Sequence, residues 1–207
     1  MKKGIKLICS AAAMALVFSS CYITRESEVK KTITVSGAGT ITSSPDIAEI
    51  NFSVATAGWS AKQIVADNDT LSKRLTDAVK NLGVNENDIV LSDCLISNPS
   101  NQYEARRNIR ITVRNISLVP AVIDCKAGAS TRLKSVTYGL NDSVATMRRA
   151  RSAAVQQTQD AASLLAGASG SKISNVVDII EEKTETGTTP DGKINVTSEV
   201  KVTYSIQ

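Results

Sequence analysis

Arg106, Arg110 and Arg114 recur every four residues in a stretch that alternates polar and apolar side chains. On a β-strand that spacing sets all three guanidinium groups on one face, about 13 Å apart. Such a row suits an anionic lipid headgroup, a cell-wall polymer or acidic side chains of a second subunit. The plainer reading is arginine stems covering a sheet face with their heads in water. Arg148, Arg149 and Arg151 make a second cluster. Cys94 and Cys125 are the other reactive side chains. A disulfide between them needs Cα atoms about 4.4–6.8 Å apart. The alternative is a buried, inert thiol: Cys125 shares a helical face with Leu118, Val122 and Ala129. A redox role for the pair is a further reading, although they do not form a CxxC.

Other chemistry finds little support. The chain has no histidine, which removes imidazole bases, His-based triads and His-ligated zinc. It carries no Walker loop, G-x-S-x-G elbow, Rossmann glycine pattern or metal-spaced cysteine set. Gly37-Ala38-Gly39 lacks a third glycine and a following helix. Asp67 and Asp69 lie two apart on a helix and do not face each other. Glu181-Glu182 falls where a hairpin is expected, as solvated charge. No catalytic, cofactor-binding or metal-ligating residue is expected, and no cofactor.

The elements that must position these groups belong to a globular chain of 207 residues, 42% hydrophobic and 21% charged. Aromatics make up 3%, with Trp59 the single tryptophan, which argues against an aromatic-lined sugar or base cleft. The formal charge of +4 falls close to neutral once Lys2, Lys3 and Lys6 leave with an N-terminal signal, so nothing global favours nucleic acid. Residues 1–20 have a basic start, an apolar run from Ile5 to Phe18 and small residues before Cys21. That run is short of the ~20 residues of a membrane span. Leu16-Val17-Phe18-Ser19-Ser20-Cys21 resembles a bacterial lipobox, which makes Cys21 the expected lipidation site and 21–31 a polar tether. Two or more acyl chains anchor stably where one does not. A plain secretory signal with an incidental Cys is the alternative.

Beyond the tether, periodicity predicts a short strand at Thr32–Val35 and a bend or bulge at Gly37–Gly39. A strand follows from Ile47, with Ala48, Ile50, Phe52 and Val54 on one face. Ser60 and Gln63 form a capping box for a helix that stops at Gly83. On it Ala61, Ile64, Asn68, Leu71, Leu75, Ala78 and Leu82 share a face, and Asn68 is read as an edge residue touching water, the alternative being a hydrogen-bonded register-fixing or interface residue. Next come a strand over Asp88–Ser97, an alternating strand over Tyr103–Asn115, a compact helix from Ser117 to about Ala127, and a strand over Thr131–Leu140. A long Ala-rich helix ends near Gly167 or Gly170, with Met147, Ala150, Ala154, Gln157, Ala161, Leu164 and Ala168 as its packing seam. Strands over Ile173–Ile180 and Ile194–Ile206 flank a polar loop from Glu182 to Lys193. The order ββ-α-ββ-α-β-α-ββ predicts a single α+β domain over 32–207, antiparallel strands with helices packed on them.

Val35-Ser36-Gly37-Ala38-Gly39 leading to Ser44-Pro45-Asp46-Ile47-Ala48 resembles the opening of the SIMPL-domain family, the YggE-like bacterial envelope proteins. Gly83 with Asp88-Ile89, the Ala-rich helix and the closing Val200-Lys201-Val202-Thr203-Tyr204 are similar too, so the likeness covers nearly all of 32–207. The link from Ser97 to Tyr103 is shorter than in many relatives. The resemblance implies an α+β fold, placement in the periplasm or on a membrane, and self-association into homo-oligomers, with no catalytic residues to carry over. The expectation is a non-enzymatic, lipid-anchored envelope protein acting as a scaffold or protective assembly. The alternatives are a module binding an anionic envelope component through Arg106, Arg110 and Arg114, and a thiol redox protein using Cys94 and Cys125.

Overall fold

The computed structural model describes residues 31–99, 101–126 and 128–207. The expected signal, Cys21 and the tether up to residue 30 lie outside them. The chain runs β1 (Thr32–Ser43), β2 (Ile47–Gly58), α1 (Ala61–Asn81), β3 (Ile89–Leu91), β4 (Leu95–Ser97), β5 (Tyr103–Val113), α2 (Val119–Asp124), β6 (Thr131–Gly139), α3 (Ser143–Ala168), β7 (Ile173–Thr188) and β8 (Ile194–Ile206). This is the expected α+β order, except that three strands rather than two lie between α1 and α2. The strands form two antiparallel sheets, β1-β8-β7 and β3-β5-β2-β6, with β4 also on β5. Although only Ser44–Asp46 separates them, β1 and β2 belong to different sheets.

The larger sheet is built on strict alternation. Ala48, Ile50, Phe52 and Val54 of β2 are fully buried, beside Ile109, Ile111 and Val113 of β5. Leu75 and Val79 of α1 and Val119 and Val122 of α2 close that core. Burying each large aliphatic or aromatic side chain there contributes roughly 1.5–3 kcal/mol. Ser60 caps α1 by accepting from the Gln63 N–H. The returning half of the capping box is absent, because the Gln63 amide donates to Asp67 instead at 2.9 Å. The helix ends before Gly83, whose φ of 92° is open to glycine at little steric cost.

Asn68 corrects its expected place at a wet edge. It is wholly buried, and its amide donates to the carbonyls of Val54 at 3.0 Å and Ala105 at 3.2 Å. The Ser72 hydroxyl donates to its Oδ1 at 3.4 Å. One side chain thereby ties α1 to both central strands. The stretch expected as one strand over Asp88–Ser97 is instead a 3-10 turn at Glu86–Asp88 followed by β3 and β4, two short strands that both pair with β5. The helix expected from Ser117 is a 3-10 turn at Ile116–Leu118 and then α2, with Pro120 in its first turn.

In the smaller sheet the expected bend at Gly37–Gly39 is a regular strand. Gly37 pairs with Val200, Ala38 with Glu199 and Gly39 with Ser198, without a break in register. The glycines answer a different need. A Cβ on Gly39 would sit 2.1 Å from the Ala150 carbonyl oxygen and 2.5 Å from the Ala154 nitrogen, and one on Gly37 would sit 2.7 Å from the Ala154 oxygen. Helix α3 therefore lies backbone against backbone on β1. Its buried row is Thr146, Ala150, Ala154, Thr158, Ala162 and Ala166, every fourth residue, as helices present along a ridge. The expected seam is corrected at its far end, where Leu164 is 75% exposed. Thr146 and Thr158 enter the row because their hydroxyls donate to the carbonyls of Asp142 and Val155 at 3.0 and 2.7 Å. Thr158 also meets the buried Tyr204 hydroxyl at 2.9 Å.

Strand β7 corrects the expected loop. After a register shift at Glu182, Lys183–Thr188 continue the pairing with β8, and the turn is confined to Thr189–Lys193. Three register shifts along β7 absorb its length. In the turn, the hydroxyl of Thr189 and the ammonium of Lys193 hold the Asp191 carboxyl down at about 2.

Three substitutions test these constraints. Gly39→Ala forces a backbone clash and is expected to destabilise the domain by about 3 kcal/mol in urea titration. Gly187→Ala, where nothing lies within 4 Å of the added carbon, is expected to stay within about 0.5 kcal/mol of the parent. Asn68→Ala leaves buried carbonyls short of a donor and is expected to cost about 1–3 kcal/mol in the same titration.

Candidate functional site

Alternation along β5 places Glu104, Arg106, Asn108, Arg110, Thr112 and Arg114 on the face opposite the core. The three arginines do share that face, as their spacing predicts. Each meets a carboxylate there. Arg106 donates to Glu104 at 2.5 Å, and Arg110 approaches Glu49 of β2 at 3.9 Å. Arg114 makes a two-pronged pair with Asp88, both contacts at 2.8 Å, and a third bond to Asn141 at 2.5 Å. The Asp88 carboxylate raises the Arg114 pKa above its ordinary value. Asn51 extends the network by donating to Glu49 at 3.0 Å and Ser135 at 3.3 Å. The row is thus a cross-strand ion-pair ladder whose charge is largely balanced within the chain. Glu104 beside Arg106 was readable in the alternation; Glu49 and Asp88 come from other elements, and only strand pairing delivers them.

The second arginine cluster divides. Arg151 makes a two-pronged pair with Glu181 at 2.8 and 3.0 Å, and the Ser198 hydroxyl donates to the same carboxylate at 3.0 Å. The hydrogen bond from Arg151 is the main cause holding the Glu181 carboxyl below its usual range. Glu181, expected as solvated charge at a hairpin, is instead mid-strand and ties β7 to α3. Arg148 and Arg149 are exposed. Asp69, on the α1 face away from Asp67, meets Arg107 at 2.8 Å. The Arg107 Nε is buried without a hydrogen-bond partner.

Cys94 and Cys125 are free thiols, each half-buried. Cys94 lies between β3 and β4, and Cys125 packs at the end of α2 against the main core. Burial first, then the neighbouring Asp124, push the Cys125 thiol up, which lowers the thiolate fraction that redox chemistry needs. Among the described residues no group of three His, Cys, Asp or Glu side chains could hold a metal ion. No described helix is long and apolar enough to cross a membrane.

A different surface is left unsatisfied. β7 is an edge strand of its sheet, 16 residues long, and among the described residues it pairs with β8 alone. Val176, Val177, Ile179 and Ile180 on it are each about half exposed. A long edge with exposed apolar side chains on both faces offers unpaired N–H and C=O groups to another strand. The sequence reading missed half of this strand because the Thr- and Glu-rich stretch after Ile180 reads as a polar loop.

These features assemble a two-sheet α+β domain with no convergent catalytic constellation among the described residues. Residues 33–204 match the family model SIMPL, described as a protein of unknown function (DUF541), and the chain belongs to that family. It is similar to the 26 kDa periplasmic immunogenic protein of Brucella melitensis and to its counterpart in Brucella abortus. Each is 26% identical over 173 residues, covering 72% of this chain and 66% of theirs, so the chain matches just under two thirds of those relatives' length. A crystal structure of an unknown protein from Galdieria sulphuraria shares 12% identity at a TM-score of 0.20, covering 76% of this chain and 83% of that one.

The Cys125 environment predicts slow chemistry. Alkylation by iodoacetamide at mildly alkaline pH is expected to proceed more slowly at Cys125 in the folded protein than in the urea-unfolded chain, followed by peptide mass spectrometry. Equal rates would remove the argument from burial.

Proposed function

We propose that this chain is a non-enzymatic protein of the bacterial cell envelope, lipid-anchored at Cys21, whose SIMPL domain assembles with copies of itself as a scaffold or protective structure. The observation that carries the assembly reading is the free edge of β7. Its apolar side chains project on both faces of a strand whose outer hydrogen-bonding groups have no neighbour within the described residues. β1, the opposite edge, is partly blocked, since the Ala38 N–H donates to Gln157 of α3 at 2.5 Å. A second β7, or the same strand entered from another subunit, would extend the sheet and bury those residues. Placement in the envelope rests on the signal-like residues 1–20, the lipobox ending at Cys21, the tether over 21–31, and the word periplasmic in the names of the Brucella relatives. A periplasm-facing or an outer-membrane position belongs to the same reading.

The carboxylates that meet Arg106, Arg110 and Arg114 bear on the alternative of an anionic ligand at that row. With Glu104, Glu49 and Asp88 in place, the row offers an anion little net charge, which favours an interface or a solvated face over a headgroup site. The raised Cys125 thiol weighs likewise against the redox reading.

Light scattering on the full chain in detergent is expected to give an oligomer at micromolar concentration. Val177→Lys with Ile180→Lys, which puts charge on an edge strand, is expected to return it to monomer. Because both side chains are half exposed, the thermal midpoint should move little. A monomeric parent, or an oligomer indifferent to the two lysines, would reject the β7 interface. Mass spectrometry of the native chain tests the anchor separately, through the mass of two or more acyl chains at Cys21.

A further inference from the structure

A cleft of about 790 Å³ opens on the larger sheet at the end where β6 stops short. Thr131 opposite Val54 is the last β6 residue in register, while β2 continues to Gly58. Ala55 N–H is taken by the Ser130 carbonyl at 2.9 Å. The gap is walled by β2 and β5, by the start of β6, and by α1. A volume of this order matches a small-molecule site, roughly 300–1,000 Å³.

The Arg106–Glu104 pair of the ladder lines it too, but the other cations of the cleft differ from those of the ladder. Arg74, Arg132 and Lys134 line the cleft, and none of them has an ion pair or side-chain hydrogen bond among the described residues. The arginines 106, 107, 110, 114 and 151 are all matched with carboxylates. The β6 register jumps here, from Asn51 opposite Ser135 to Phe52 opposite Leu133, which leaves Lys134 as the extra residue. Strand alternation sets Lys134 on the same side as Arg132, and both line the cleft. Ser53 adds an independent sign. The residue is 4% exposed and lines the cleft, and its hydroxyl has no partner among the described residues.

Two carboxylates narrow the ligand. Asp67 and Glu104 also line the cleft; they would repel a compact, multiply charged anion and would accept hydrogen bonds from hydroxyl groups. Arg and Lys side chains suit a phosphate. We propose that this cleft binds a phosphorylated polyol, its phosphate on Arg132, Lys134 and Arg74 and its hydroxyls toward Asp67, Glu104 and Ser53. The chemistry is shared by a free glycerol or sugar phosphate and by a glycerophosphate lipid headgroup. The site lies on other strands than β7 and does not depend on self-association.

Calorimetric titration of the full chain in detergent with glycerol 3-phosphate, and flotation with vesicles of phosphatidylglycerol or phosphatidylcholine, tests this. Saturable binding of glycerol 3-phosphate that weakens with added salt is expected, with glycerol alone not binding. If the phosphate sits in a lipid, phosphatidylglycerol vesicles alone will retain the protein. Arg132→Ser with Lys134→Ser is expected to weaken whichever binding is seen by roughly tenfold or more. Lys62→Ser with Lys172→Ser, which removes the same two positive charges from exposed positions outside the cleft, should leave it unchanged. Circular dichroism and the urea midpoint establish that both variants fold. Absence of saturable binding to either probe, equal binding of glycerol, or equal losses in the two variants would overturn the proposal.

Discussion

The close approach of α3 to β1 is the constraint on which the smaller sheet depends. At Gly39 the space for a single methyl group is already filled by the helix backbone at Ala150 and Ala154. That contact requires glycine on the strand and small residues on the helix at once. Because β1 and β8 come from opposite ends of the domain, it also holds those ends together beneath one helix. Dispersion contacts between backbones are individually weak, but a close-packed layer without voids adds many of them.

The same placement accounts for what is left open. Centred on β1 and β8, α3 reaches β7 chiefly through the Arg151–Glu181 pair. The apolar residues of β7 therefore gain little cover from their own chain, and this is why the strand is the natural edge for a neighbour. In the larger sheet, α1 and α2 cover one face of the central strands β2 and β5, Asn68 fastens α1 to both, and the other face of those strands is left mostly to polar and charged side chains. There each cation's fate depends on whether strand pairing supplies a carboxylate. Arg110 and Arg114 receive one from β2 and from the turn before β3; Arg132 and Lys134, on the short edge strand β6, do not.

Much of this was legible along the chain. The alternation in β2, β5 and β8, the Ser60 cap, the glycine stops and the order of elements all follow from local stereochemistry and period. What was misread shares one cause. Gly37 and Gly39 look like a bend because the helix that needs them lies more than a hundred residues away in sequence. Asn68 looks like an edge residue because its partners are backbone carbonyls of other strands. Leu164 looks like core because an Ala-rich helix gives hydrophobicity no preferred face. The stretch after Ile180 looks like a loop because its Thr and Glu residues enter a ladder only when β8 lies beside them.

By itself, then, the sequence determined the class of fold, the faces of its strands, the common face of the three arginines and the absence of histidine chemistry, since each is a matter of residue type and short-range spacing. Tertiary structure alone decided which arginines are neutralised and which remain bare, which strand edge is free, and where a cleft opens beside β6. Those outcomes turn on distances of a few ångströms between side chains from different elements, and strand register sets such distances only after the chain has folded.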